Sequence, residues 1–310
     1  MTLAGANLAE ATHRDPALHL VVQAPEEGPA KPVLYVHGAT FTAANSVLFR
    51  FEGTSWADAL NREGFSVWGF DFAGFGESER YESMNSCHPP PGAPLGRAPG
   101  ASRQIERVVR RIISETGVER VPIVAHSWGS IAAGLFAGQH PELVDRLVFF
   151  GPVVQRTQLQ GVPPLGPWRF LTVEEQRARF VEDVPEGHPP VLEERDFPAW
   201  AERYLDSDPT SRSRTPHSVK TPNGPLADIM AAWSGRLAYD PALITAPLAI
   251  VRGEWDSLST DADAAWLQSH ATRAPEVVDI KIPKGTHLMH LEQGRHRLYE
   301  AVSDFLKENR

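Results

Sequence analysis

The chain has 310 residues, 42% hydrophobic and 22% charged, enough for one large α/β domain or a core domain carrying a smaller insertion. A formal net charge of −9, with "RVVRR" (107–111) as the densest basic run, argues against nucleic acid as a partner. The single cysteine, Cys87, excludes an internal disulfide and a thiolate zinc site, and it fits a reducing compartment.

In chain order, the first 20 residues lack the basic and apolar regions of a secretory leader, and no run of about 18 apolar residues follows anywhere. A cytoplasmic protein without a membrane span is expected. Short apolar runs then alternate with amphipathic ones, the pattern of a mostly parallel sheet covered by helices. Strands are predicted over 18–23, 32–38, 65–72, 121–127, 146–152, 247–254 and 277–283. Their near-continuous apolar character suits burial on both faces.

Helices are predicted over 54–64, 102–117 and 291–309. The second places Ile105, Val108, Val109 and Ile112 at i, i+3, i+4 and i+7, and the third repeats such a stripe through Leu298, Val302 and Phe305. Residues 81–100 contain "CHPPPGAPLGRAPG", which is too rich in proline for helix or central strand and is expected to form an exposed loop, with a wall of the active site as the alternative. From Pro152 to Pro225 there are 12 prolines, interleaved with amphipathic pieces and with Trp168, Phe170, Trp200 and Tyr204. A linker does not carry such an aromatic load, so 153–233 is expected to be an inserted, mainly helical lid on a core of 1–152 and 234–310. Trp168, Phe170, Trp200 and Trp233 are its candidate substrate contacts.

The chemistry concentrates in "VAHSWGSIAAG" (124–134), where a buried strand meets a helix of small residues with Ser127 between them. A sharp strand-to-helix turn needs small residues two before and two after its apex, and Ala125 and Gly129 meet that need. A serine becomes a nucleophile only with a base beside it and a third group orienting that base. "PKGTHLMHLE" offers His287 directly after the last strand as the base, and His290, three residues on, as a structural neighbour. "AIVRGEWDSLST" offers Asp256 as the acid, with Glu254 as the fallback and helix capping as the alternative role of Asp256. "YVHGATF" supplies a turning loop whose Thr40 or Phe41 N–H, together with the Trp128 N–H, forms a candidate oxyanion hole, with His37 fixing the loop by hydrogen bonding.

The order Ser127, Asp256, His287 is that of the α/β-hydrolase fold. With "VHGATF", "DFAGFGES" (71–78), "AHSWGS", "RGEWDSL" and "GTHLMHLE", the sequence resembles the α/β-hydrolase superfamily over nearly its whole length. The resemblance implies Ser127 as nucleophile, Asp256 as acid, His287 as base, Asp71 as a structural turn residue and a lid after the sixth core strand. Serine at the elbow argues against the haloalkane dehalogenase and epoxide hydrolase branches, which the resemblance associates with aspartate there. "HSWGS" is similar to the elbow of the proline iminopeptidase branch.

The expected activity is hydrolysis of a small to medium ester, thioester or lactone through an acyl-enzyme. Cleavage of an amide or C–C bond, acyl transfer, or a non-catalytic ligand receptor are the alternatives. The expected partner is a small acyl substrate. No cofactor is expected, and the 12 scattered histidines present no metal motif.

Overall fold

Apolar runs bounded by turn residues become the strands of a seven-stranded sheet in the computed structural model, which describes residues 15–157 and 164–307. The stretch read as lacking a leader lies outside those residues up to position 14, as do the last positions of the final helix and 158–163 of the inserted segment. The main sheet comprises β1 (Leu20–Gln23), β2 (Lys31–Val36), β3 (Phe65–Phe70), β4 (Val121–His126), β5 (Val144–Phe150), β8 (Leu248–Gly253) and β9 (Val277–Ile282). Their spatial order is β1-β3-β2-β4-β5-β8-β9, with β1 antiparallel and every other pairing parallel.

Both faces of this sheet are covered, which explains the unbroken apolar character of its strands. On one face Leu34, Val36, Ile123, Ala125, Leu147 and Ile250 pack with helices α2 (Ala98–Thr116) and α3 (Gly129–Gln139). On the other, Val33, Tyr35, Val124, Val148, Phe150 and Val251 pack with α1 (Trp56–Arg62) and α8 (His296–Lys307). The stripes read from the sequence point inward: Ile105, Val108, Val109 and Ile112 of α2 are buried, as are Leu298, Val302 and Phe305 of α8. Helix α7 (Asp261–His270) completes the covering between β8 and β9. No helix among the described residues is long and apolar enough to cross a membrane.

Helix α2 starts four residues before the expected position, in the proline-rich stretch itself. Pro99 is tolerated in the first turn, where its missing N–H is not needed. The carboxylate of Asp228, far away in sequence, accepts the Ala98 N–H at 2.7 Å and pairs with Arg97.

Between β5 and β8 the chain leaves the main sheet. It forms a separate antiparallel pair, β6 (Trp168–Thr172) with β7 (Ser218–Pro222), and the helices α4 (Val173–Val181), α5 (Phe197–Asp206) and α6 (Gly224–Trp233). The strands were not visible as such in the sequence because proline and aromatic residues obscure their alternation. The loop at 81–100 is bound to this excursion and not free of it: Leu95 N–H donates to Pro167 O, Lys220 Nζ to Met84 O and Ser86 O, and Trp168 Nε1 to Ser83 O.

The order of the strands decides where a site can form. The chain passes from β2 outward to β3 and then crosses back over β2 to β4, so the connections diverge between β2 and β4. A crevice opens beyond the carboxyl ends of the strands at such a switch point. It holds together because Gly129 lets α3 approach β2: a Cβ at Gly129 would lie 2.6 Å from His37 O and 3.0 Å from Val36 O. Gly129→Ala therefore forces the helix off the sheet, and a loss of about 1–3 kcal/mol is expected. Differential scanning calorimetry should show a melting point several degrees lower, and an unchanged one would contradict this packing.

Candidate active site

Every residue of the site sits just past the carboxyl end of a parallel strand. Ser127 follows β4, Gly151 follows β5, Asp256 follows β8 and His287 follows β9, while the loop from His37 to Phe41 follows β2. Ser127 adopts φ of +55°, a left-handed conformation that costs a residue with a side chain about 1–3 kcal/mol. The turn is held by Ser127 N–H donating to Phe150 O at 2.9 Å and by the Ser130 hydroxyl donating to Ser127 O at 2.6 Å.

The three residues named from the sequence converge. His287 Nε2 lies 2.8 Å from Ser127 Oγ, and His287 Nδ1 lies 2.9 and 3.1 Å from the two carboxylate oxygens of Asp256. The carboxylate has no proton to donate when ionised, so Nδ1 carries the hydrogen and Nε2 is left as acceptor for the serine hydroxyl. All three side chains are buried. Asp256 also accepts the N–H groups of Leu258 and Ser259, at 2.8 and 3.0 Å, which fixes its own turn. It does not cap α7; Thr260 does, through its bond from Asp263 N–H. Glu254 faces outward and accepts the Lys284 N–H. Gly151 provides the room: a Cβ there would stand 3.1 Å from the His287 ring and 3.2 Å from Asp256 Oδ2. No sequence motif marked that glycine.

Two further imidazoles crowd His287. The ring centroids of His126 and His287 are 5.1 Å apart, and those of His126 and His290 are 4.7 Å apart. Burial, reinforced by the neighbouring imidazoles, holds His126 and His290 well below the usual histidine range, so both are neutral. His126 Nε2 donates to His287 O, and His290 Nε2 bonds the Ser46 hydroxyl. Of these three rings only His287 meets a carboxylate. His37 is also neutral, pushed down to about 4 by burial. Its Nδ1–H donates to Gly38 O and its Nε2 accepts the Phe72 N–H, tying the β2 loop to the β3 loop. Asp71 accepts the N–H of Glu77 within its own turn and the N–H of Ala43 from the segment after β2.

A cavity of about 200 Å³ opens on Ser127 and His287. Gly38, Ala39, Thr40 and Phe41 form one wall, and Val153, Leu226, Ile229, Trp233, Leu258 and Leu288 supply apolar surface. Arg179 of α4 is the one lining residue with a permanent charge. Of the aromatic candidates only Trp233 lines this cavity. Trp168 is buried beside Phe170 and under Lys220; Phe170 faces a separate cavity with Arg214 over its ring; Trp200 stacks between Phe197 and Tyr204. The N–H of Trp128 stands at the start of α3, outside the helical ladder. Its indole does a separate job, donating to Asp228 of α6 at 3.0 Å and fastening the excursion to the core. A larger cleft of about 690 Å³, lined by Gln23, Arg50, Asp58 and Arg62 among others, contains no serine–histidine pair.

A family model described as alpha/beta hydrolase fold matches residues 31–293. The chain belongs to the alpha/beta hydrolase fold family. Among solved structures of this fold, a probable hydrolytic enzyme from Pseudomonas aeruginosa is 19% identical, with a TM-score of 0.61 over 94% of this chain and 90% of that one. A monoacylglycerol lipase from Paleococcus ferrophilus is 15% identical, with a TM-score of 0.59 over 93% and 98%. A Caenorhabditis elegans protein named epoxide hydrolase 1 is 42% identical over 40 residues, 13% of this chain and 10% of that protein. The chain thus spans about a tenth of that relative's length, and the match carries no reaction with it.

The loop bearing His287 rests on a second buried acid that the sequence did not single out. Glu292 accepts the Thr286 hydroxyl on one oxygen and the Thr286 N–H on the other. Burial raises its carboxyl to about 7. A raised pKa means that the folded state holds the proton more tightly than the unfolded chain. Its stabilising contribution is therefore complete below the unfolded value near 4.5 and fades as pH rises through about 7. Glu292→Gln should melt several degrees above the wild type at pH 8 but not at pH 5; calorimetry at the two pH values checks this, and a pH-independent difference would contradict it.

Proposed function

We propose that the chain is a serine hydrolase that cleaves an ester, thioester or lactone of a small to medium organic substrate through an acyl-enzyme. The observation that carries this reading is the continuous line of hydrogen bonds from Ser127 Oγ through His287 to Asp256, buried at the floor of an apolar cavity. Ser127 attacks the carbonyl carbon while His287 Nε2 takes its proton; Asp256 stabilises the resulting imidazolium. The tetrahedral oxyanion is held by the Trp128 N–H and by an N–H of the 38–41 loop, from Thr40 or Phe41, at the positive end of α3. His287 then protonates the leaving alcohol or thiol, and water activated by the same imidazole hydrolyses the acyl-enzyme.

The segment 153–233 acts as a lid in this reading. Leu226, Ile229 and Trp233 of α6 and Arg179 of α4 are contributed by it to the cavity wall. At about 200 Å³ the cavity lies below the roughly 300–1,000 Å³ of drug-sized sites, which supports a small acyl group over a long one. Neutral His126 and His290 leave the transient positive charge to the one ring with a carboxylate behind it.

Ser127→Ala should abolish turnover of esters and labelling by a fluorophosphonate while leaving the circular dichroism spectrum unchanged. A residual rate above about 5% of wild type would sink the nucleophile assignment, since loss of the serine costs such enzymes several powers of ten. A panel of esters, thioesters, lactones, aminoacyl amides and C–C bond substrates of graded chain length then fixes the bond cleaved.

A further inference from the structure

The cavity wall contains one charge with no counter-charge. Arg179 lies in the last turn of α4, where a cation suits the helix dipole, yet the dipole supplies no acceptor for its Nε. Its Nε is buried without a hydrogen-bond partner among the described residues, and no ion pair to it occurs among them. Of the acids nearby in sequence, Glu175 accepts the Thr172 N–H in a capping box, Glu194 pairs with Arg177 on the outer face, and Glu174, Glu182 and Asp183 make no ion pair with Arg179 among the described residues. The cavity lining holds no aspartate or glutamate besides. The other cation close to Arg179 is Arg169, whose guanidinium bonds Asn223 and no carboxylate. The one formal charge on the cavity lining is therefore positive, in surroundings of Leu, Ile, Val, Trp and Phe side chains that strengthen any charge–charge contact.

We propose that Arg179 binds a carboxylate of the substrate, so that the enzyme acts on small esters carrying a second, ionised acid group. The proposal rests on the reading of Ser127 as nucleophile and adds the substrate class. An arginine satisfies a carboxylate with two parallel N–H bonds, and its planar fork fixes orientation as well as charge. A guanidinium Nε buried without a partner is costly, so an anionic ligand that meets it gains what a neutral ester of the same shape cannot. In a cavity of this size, the anchored carboxylate sets the distance from Arg179 to the scissile carbonyl at Ser127 and so selects chain length.

The test compares pairs of equal shape: monomethyl glutarate against methyl 5-methylhexanoate for an anion on the acyl side, and O-acetylglycolate against isobutyl acetate for one on the alcohol side. Wild type should favour the anionic member of at least one pair by about tenfold or more in kcat/KM, the scale of a charge-assisted hydrogen bond. Arg179→Met should erase that preference by lowering kcat/KM for the anionic member about tenfold more than for the neutral one, and Arg179→Lys should recover part of it. No preference in either pair, or a preference that survives Arg179→Met, overturns the proposal, as does an equal loss on both members. Titration calorimetry with glutarate reads the same site without turnover. Binding that disappears in Arg179→Met, alongside no fluorophosphonate labelling of Ser127, would retain the anion site and reject the hydrolase reading. Labelling of Ser127 with neither glutarate binding nor substrate preference would do the reverse.

Discussion

A serine in a left-handed backbone conformation cannot be held by local forces, because its own side chain disfavours the turn. The rest of the structure is arranged around that constraint. Strand β4 enters the turn paired on both edges, to β2 and to β5, and α3 leaves it pressed so closely on β2 that residue 129 has no room for a Cβ. The neighbouring strand closes the turn through Phe150 O. With the apex fixed, Ser127 projects into the crevice where the connections of β2 and β4 part.

The same sheet that fixes the serine brings the other groups to it. Strands β8 and β9 are sequence-distant from β4, yet parallel pairing through β5 aligns their carboxyl ends with it. Asp256 and His287 then need only short loops to reach Ser127. The electrostatics follow from burial: three imidazoles share one buried pocket, two are kept neutral, and the third is supported by a carboxylate. A proton arriving at His287 finds no competing positive charge on the adjacent rings.

The excursion between β5 and β8 is tied down at several points. Asp228 of α6 receives the Trp128 indole, the Ala98 N–H and Arg97 at once, joining the helix after the elbow, the start of α2 and the excursion. Trp200 Nε1 donates to Asn45 O, and Phe41 packs edge-on against the same indole, so α5 supports the loop after β2. These aromatic groups carry the packing of the proposed lid, and the cavity wall from this segment falls to Leu226, Ile229, Trp233 and Arg179.

By itself the sequence determined the fold class, the seven strands of the main sheet within about two residues, and the order Ser127, Asp256, His287. Each of these depends on local pattern: apolar runs, glycine-bearing turns and loops directly after strands. Tertiary structure decided which aromatic residues meet the cavity, because Trp168, Trp200 and Trp233 look alike in an amphipathic segment and differ only in which face the packing turns inward. It decided the start of α2, since the carboxylate that receives its first N–H arrives from residue 228. It also decided the standing of Arg179 and Glu292. An arginine is a solvated surface group or a half-buried one with an unpartnered Nε, and a glutamate is ionised or protonated, according to what packs around it, and those neighbours are far away in the chain.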